Sequence, residues 1–160
     1  MFMAMTGALL ATSCNKAEKK AEYKKMQSEA APVEKKATDI PFTVAERYFV
    51  KNTIKGKIDK PKIETQEEFD KVFGAATAMG KDGIPTKIDF TKQYVIAVVK
   101  PDTNIETFLS AVSLQKASDD KIIFTYKITK GKKQSFTSSV SLAIIVEKSF
   151  TGDVELKEIK

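Results

Sequence analysis

The sequence predicts an α+β domain, mainly antiparallel β-sheet of about six to seven strands, with one main helix near residues 65–79 packed on the sheet. Three observations carry that expectation. Ile122, Phe124, Tyr126 and Ile128 alternate with polar residues through 121–130, the period of a strand with one buried face. Tyr94-Val95-Ile96-Ala97-Val98-Val99 is apolar throughout, as in a central strand covered on both faces. Between the strand-like regions, Phe69, Val72 and Phe73 recur at i, i+3, i+4 behind a Thr65/Glu68 capping-box spacing, which starts a helix with one buried stripe.

Taken in order, residues 42–50 partly alternate and favour β structure, and Asn52 and Gly56 break them. Ile58 and Ile63 flank Pro61, the mark of an irregular or edge strand. After the helix, Gly74 is one stopping point; alternatively Ala75, Ala76 and Ala78 carry the helix on to Gly80. Gly80 to Pro85 reads as a loop. Strands are expected over 94–99, over 107–116 with Phe108, Val112 and Leu114 inward, over 121–130, over 140–146 and at 154–156. Turns are expected at Ser118-Asp119-Asp120, at Gly131 and at Thr151-Gly152-Asp153.

Before this domain, which is read as 40–160, the composition changes twice. Residues 1–13 are apolar and end in small residues before Cys14, the only cysteine of the chain. This is the pattern of a lipoprotein signal, truncated here because it lacks a basic start. The sulfur of Cys14 is then the expected lipidation site. Acyl chains contribute about 0.8 kcal/mol per buried CH₂, enough in twos and threes to anchor a protein durably. Residues 15–39 are rich in Lys, Glu and Ala and lack an apolar stripe, so they are read as a disordered charged tether. The expected location is the bacterial cell envelope, by lipid anchorage in the outer membrane.

Charge excludes some classes. The net charge of +6 is spread thinly, with seven basic and five acidic residues over 15–39 and 20 basic and 16 acidic over 40–160. Arg47 is the only arginine, and the densest basic spot, Lys130, Lys132 and Lys133 around Gly131, reads as a solvated hairpin tip. Nucleic acid is therefore not an expected partner. The chain has no histidine, which removes histidine-based triads and the commonest transition-metal ligand. Carboxylates remain for acid–base work: Glu67-Glu68, Asp89 and Asp119-Asp120. Each has a plainer role, as a cap, a loop tie or a turn. The hydroxyl-rich Ser135 to Ser141 near Lys132 and Lys133 offers a nucleophile without a distinctive motif. Asp82-Gly83 and Asp102-Thr103-Asn104 are too sparse for a calcium loop. No catalytic, metal or cofactor site is assigned, and no cofactor is expected.

The order Ile63-Glu64-Thr65-Gln66-Glu67-Glu68-Phe69, Ile88-Asp89-Phe90-Thr91, Tyr94 to Val99 and the late Ile144 to Lys148 resembles the C-terminal domain family of PrcB over roughly residues 60–158. PrcB is a lipoprotein associated with an outer-sheath protease complex. The resemblance implies a domain that interacts with other proteins rather than a catalyst. Two features depart from the pattern: Lys100 to Asn104 lacks the family's glycine-rich turn, and Ser138-Ser139-Val140-Ser141 lacks its proline. The expected function is a lipid-anchored, non-catalytic interaction module with an envelope protein as partner. The alternative is a carboxylate-dependent hydrolase acting on envelope polymers. The expected contact residues lie in the presumed loop after the core strand: Asp102, Asn104, Ile105 and Glu106.

Overall fold

Much of the domain is one hairpin, far longer than any single periodic run in the sequence. The computed structural model describes residues 37–77 and 83–160. The leader, Cys14, the tether as far as residue 36 and the segment 78–82 lie outside the described residues. The elements in chain order are β1 (Thr38–Asp39), β2 (Thr43–Val44), β3 (Tyr48–Val50), β4 (Lys62–Ile63), α1 (Gln66–Val72), β5 (Phe73–Ala75), β6 (Gln93–Ser118), β7 (Lys121–Glu147) and β8 (Asp153–Ile159). The domain is α+β, with antiparallel sheet dominant and one short helix.

β6 and β7 pair antiparallel from Gln93↔Glu147 at the base to Ser118↔Lys121 at the tip, where Asp119 and Asp120 make the turn. The expected strands over 94–99 and 107–116 are thus one strand, as are those over 121–130 and 140–146. Neither the loop at Lys100 nor the turn at Gly131 exists; both positions lie inside paired strands. Backbone pairing explains the continuity, because each strand satisfies the other's amides through polar stretches where side-chain periodicity fades.

The hairpin folds back on itself. Tyr94, Ile96, Val98, Leu142, Ile144 and Val146 from its base half share one core with Leu114, Ile122, Phe124 and Tyr126 from its tip half. Residues 38–45 join the two halves. β1 pairs with β6 at Lys116 and Gln115, and the Ile40 amide donates to the Leu114 carbonyl. β2 pairs with β7 at Ile145 and Ile144, and the Ala45 amide donates to the Ala143 carbonyl. Among the described residues, pairing starts at Thr38, ahead of the expected strand region from Ile40. On the other side, β8 runs parallel to β7 from Lys121↔Asp153 to Lys127↔Ile159, which makes the sheet mixed. The result is one mixed sheet whose two hairpin halves pack on a shared core. Between β8 and the base half of β6, side chains make the contact: Lys100 Nζ lies 2.8 Å from Glu158 and 5.2 Å from the centre of the Tyr126 ring.

The odd residues of the base half face outward and build a second core. Val95, Ala97, Val99, Ala143 and Ile145 meet Val50, Ile63, Phe69 and Phe73 there. Both faces of 94–99 are covered, as the unbroken apolar run predicts. The helix starts with a variant of the expected capping box: the Glu68 amide donates to Thr65 Oγ1 at 3.2 Å, and Glu68 Oε2 accepts from the Glu64 amide, one residue before the N-cap, at 3.1 Å. It ends at Val72, not near residue 79. Phe73 is already extended, and β5 pairs with β3 through Val50↔Phe73 and Phe49↔Gly74. Gly74 lies against the Phe49 ring, where a Cβ would come within 2.6 Å of Cζ. The expected strand over 42–50 is also divided: Arg47 has φ 63°, a left-handed kink that separates β2 from β3.

Candidate functional site

The site is built where the folded-back hairpin passes from its base half to its tip half. Opposite Lys100 to Thr107 of β6 stand Lys130 to Val140 of β7. The β7 side carries the surplus: Ile105 pairs with Lys133 and Thr103 with Ser138, so 134–137 bulge out against the single Asn104. Extra residues on one strand bend a ribbon and strengthen its twist. Local polar contacts hold the bend. The Ile105 amide donates to Thr103 Oγ1 at 3.0 Å, Thr107 Oγ1 donates to the Ile105 carbonyl at 2.8 Å, and the Ser139 hydroxyl donates to the Asp102 carboxylate. Glu106 lies over Gly131, where a Cβ would have to displace its carboxylate.

Beside this bend is a shallow groove of about 740 Å³. One wall is Tyr48, Phe49, Val50 and Asn52; the other is Asp102, Thr107 and the run Thr137 to Ser141. Phe49 is 51% exposed, and Phe108 and Phe136, chain neighbours of the lining residues Thr107 and Thr137, are 55% and 60% exposed. The Tyr48 hydroxyl donates to the Thr86 carbonyl at 2.7 Å, and burial with the nearby Asp70 charge raises its pKa. It is a fixed wall rather than an acid–base group. Asp102 is the one carboxylate in the lining.

Of the expected contact residues, only Asp102 lines the groove. Asn104, Ile105 and Glu106 are half-buried in the paired bend of β6, so they are not the free loop the sequence suggested. Phe108 and Val112 do not join Leu114 inside. A register shift between Ala111 and Ser113 reverses the alternation, leaving both exposed and Leu114 buried. Lys130, Lys132 and Lys133 are exposed on a strand, not on a hairpin tip. Cys14 lies outside the described residues.

The candidate acid–base residues have structural partners. Glu67 is ion-paired with Lys71 at 2.8 Å, and the hydrogen bond from that lysine lowers its pKa. Glu68 caps the helix, and its bond from the Glu64 amide lowers its pKa. Asp89 accepts from the Thr91 hydroxyl at 2.5 Å and the Thr91 amide at 3.0 Å; these bonds lower its pKa and fix the turn into β6. The carbonyl of Asp120 accepts from the Asp153 amide at 2.8 Å, tying the hairpin tip to β8. Ser139 gives its hydrogen bond to Asp102 rather than to a lysine. Among the described residues, no group of three His, Cys, Asp or Glu is arranged to hold a metal ion, and no helix is long and apolar enough to cross a membrane.

Sequence reasoning missed the β3 wall of the groove. Phe49 belongs to an apolar run and carries no sign that its ring is exposed. The hydroxyl wall was visible as the Ser135 to Ser141 run, but its placement needed the register of β6 against β7.

The fold and groove define a β-rich α+β domain with an aromatic and hydroxyl-lined surface on a rigid ribbon. No family model matches the chain, and neither a curated protein nor a solved structure matches it.

Proposed function

We propose that the domain is a non-catalytic protein-interaction module, held at the bacterial envelope through lipid on Cys14, with its partner seated on the bend of the β6–β7 hairpin. The observation that carries this reading is the exposure of Phe49, Phe108 and Phe136 at and beside a groove that holds a single carboxylate. Exposed aromatic rings, with few rotatable bonds, lose little entropy on binding and are typical anchors of protein interfaces. Glycoside hydrolysis needs two carboxyl groups facing one substrate, and the groove supplies only Asp102. The resemblance to the C-terminal domain of PrcB, a lipoprotein of a protease complex, points to the same class of function, with an envelope protein complex as the setting.

The test is affinity capture from membranes with the anchored full chain, with mass spectrometry of the proteins retained. A reproducible partner is expected, and replacing Phe49, Phe108 and Phe136 together by Ala should release it while the far-ultraviolet circular dichroism stays unchanged. Retention of the partner by this triple variant, or repeated recovery of none, would overturn the reading.

A further inference from the structure

A second surface, on the helix side of the domain, has a different chemistry. The segment from Lys51 to Lys62 carries five lysines and one acid, Asp59, in twelve residues. Its apolar residues turn the other way: Ile54 and Ile58 pack against the second core beside Ile63 and Val72. Gly56 allows this arrangement, since its φ of 85° makes a bend between Lys55 and Lys57 that a side chain would strain. A pocket of about 420 Å³ results, within the usual range for small-ligand sites. Its floor is Ile54, Ile58, Ile63 and Val72.

The rim holds five lysines against two acids, Asp59 and Glu68. Glu68 is occupied with the helix cap. Two of the lysines are paired: Lys62 with Glu64 at 3.0 Å and Lys71 with Glu67 at 2.8 Å. Lys55, Lys57 and Lys60 form no ion pair among the described residues and leave the rim positive. Lysine acts as a hydrated point charge and suits a diffuse anionic surface, whereas bidentate recognition calls for arginine. The floor is branched aliphatic and the lining contains no aromatic residue, so it lacks the anchors that protein partners favour.

We propose that this pocket binds an anionic phospholipid, with an acyl segment on the isoleucine floor and the phosphate headgroup among the lysines, so that this face of the domain rests on the membrane surface. The binding is independent of lipid on Cys14 and of the groove at the hairpin bend.

The test uses the unacylated full chain and co-sedimentation with phosphatidylcholine vesicles, with and without phosphatidylglycerol. Binding should require phosphatidylglycerol. Replacing Lys55, Lys57 and Lys60 together by Gln should lower the partition coefficient on the order of 100-fold, given the usual contribution of each lysine at an anionic surface. The same three-charge change at Lys130, Lys132 and Lys133 should leave it nearly at the parent value. In methyl NMR spectra, the Ile54 and Ile58 signals should move with short-chain phosphatidylglycerol below its micelle concentration, and not with inorganic phosphate.

Equal binding to neutral vesicles, or equal loss in the two triple variants, would overturn the proposal. So would isoleucine methyls that respond to an acidic peptide but not to the lipid. A dimer in sedimentation that only the Lys55, Lys57 and Lys60 variant loses would assign the face to a second copy of the chain instead.

Discussion

Replacing Leu114 by Ala and, separately, Phe108 by Ala tests the register shift that turns β6 inside out. Both residues belong to one apolar alternation in the sequence, yet Leu114 is 1% exposed and Phe108 is 55% exposed. Leu114→Ala removes three carbons from the main core. At about 0.8 kcal/mol per buried carbon the transfer loss is about 2.4 kcal/mol. The cavity left among Ile122, Phe124 and their neighbours raises the total to about 3–4 kcal/mol. Phe108→Ala removes a ring that is already half in water, and its cost should be no more than about 1 kcal/mol. Urea unfolding of the full chain, followed by far-ultraviolet circular dichroism, measures both from the midpoint shift at constant slope. If Phe108→Ala costs as much as Leu114→Ala, the shift between Ala111 and Ser113 is misplaced and β6 keeps a single inward face.

The remaining predictions use other parts of the fold. Tyr94 is buried, and this burial pushes its pKa up to about 12, while its hydroxyl donates to the Phe150 carbonyl at 3.0 Å. Because ionisation is disfavoured in the folded state, the stabilisation is fully present below the ordinary tyrosine value near 10 and lost as pH rises through about 12. Tyr94→Phe should remove that step from an alkaline unfolding titration and cost about 1 kcal/mol at neutral pH for the lost hydrogen bond. Gly152→Ala should destabilise the domain by about 2 kcal/mol in thermal unfolding, because φ is 142° and a Cβ would lie 3.1 Å from the backbone carbon of Asp120 and the backbone nitrogen of Lys121. Expressed with a complete signal, the chain should incorporate radioactive fatty acid, and Cys14→Ala should abolish the label.

The base of the hairpin and the helix start were legible in the sequence because their signals are local. The run Tyr94 to Val99 is apolar on both faces and is covered on both. Thr65 and Glu68 stand at a spacing that lets the Thr65 hydroxyl accept from the Glu68 amide while the Glu68 carboxylate reaches back to the Glu64 amide. The bend was not legible. Lys100 to Asn104 and Lys130 to Lys133 look like turns because proline, glycine and charge gather there, but pairings at Lys100, Thr103, Lys130 and Lys133 keep them within the long hairpin. The helix end was misjudged for the same reason. Ala75 favours helix by propensity, while Phe73 and Phe69 share a stacked contact at 4.9 Å and the chain after Val72 is claimed by β3. Both sites depend on long-range neighbours: Phe49 meets Thr137 to Ser141 across the groove, and the lysine pocket appears only when the Lys51 to Lys62 segment is laid against α1.

The segment 38–45 has a mechanical consequence. It is the first described part of the domain, and it holds the two halves of the hairpin together with two short pairings and a few backbone hydrogen bonds. Tension applied through the preceding chain would reach these bonds before it reached the long β6–β7 ladder. Ile40, 3% exposed, would leave the main core first. For a domain held by its N-terminal side, this segment would act as a fuse: a pull opens one flank of the main core to water while the hairpin that carries the groove stays paired.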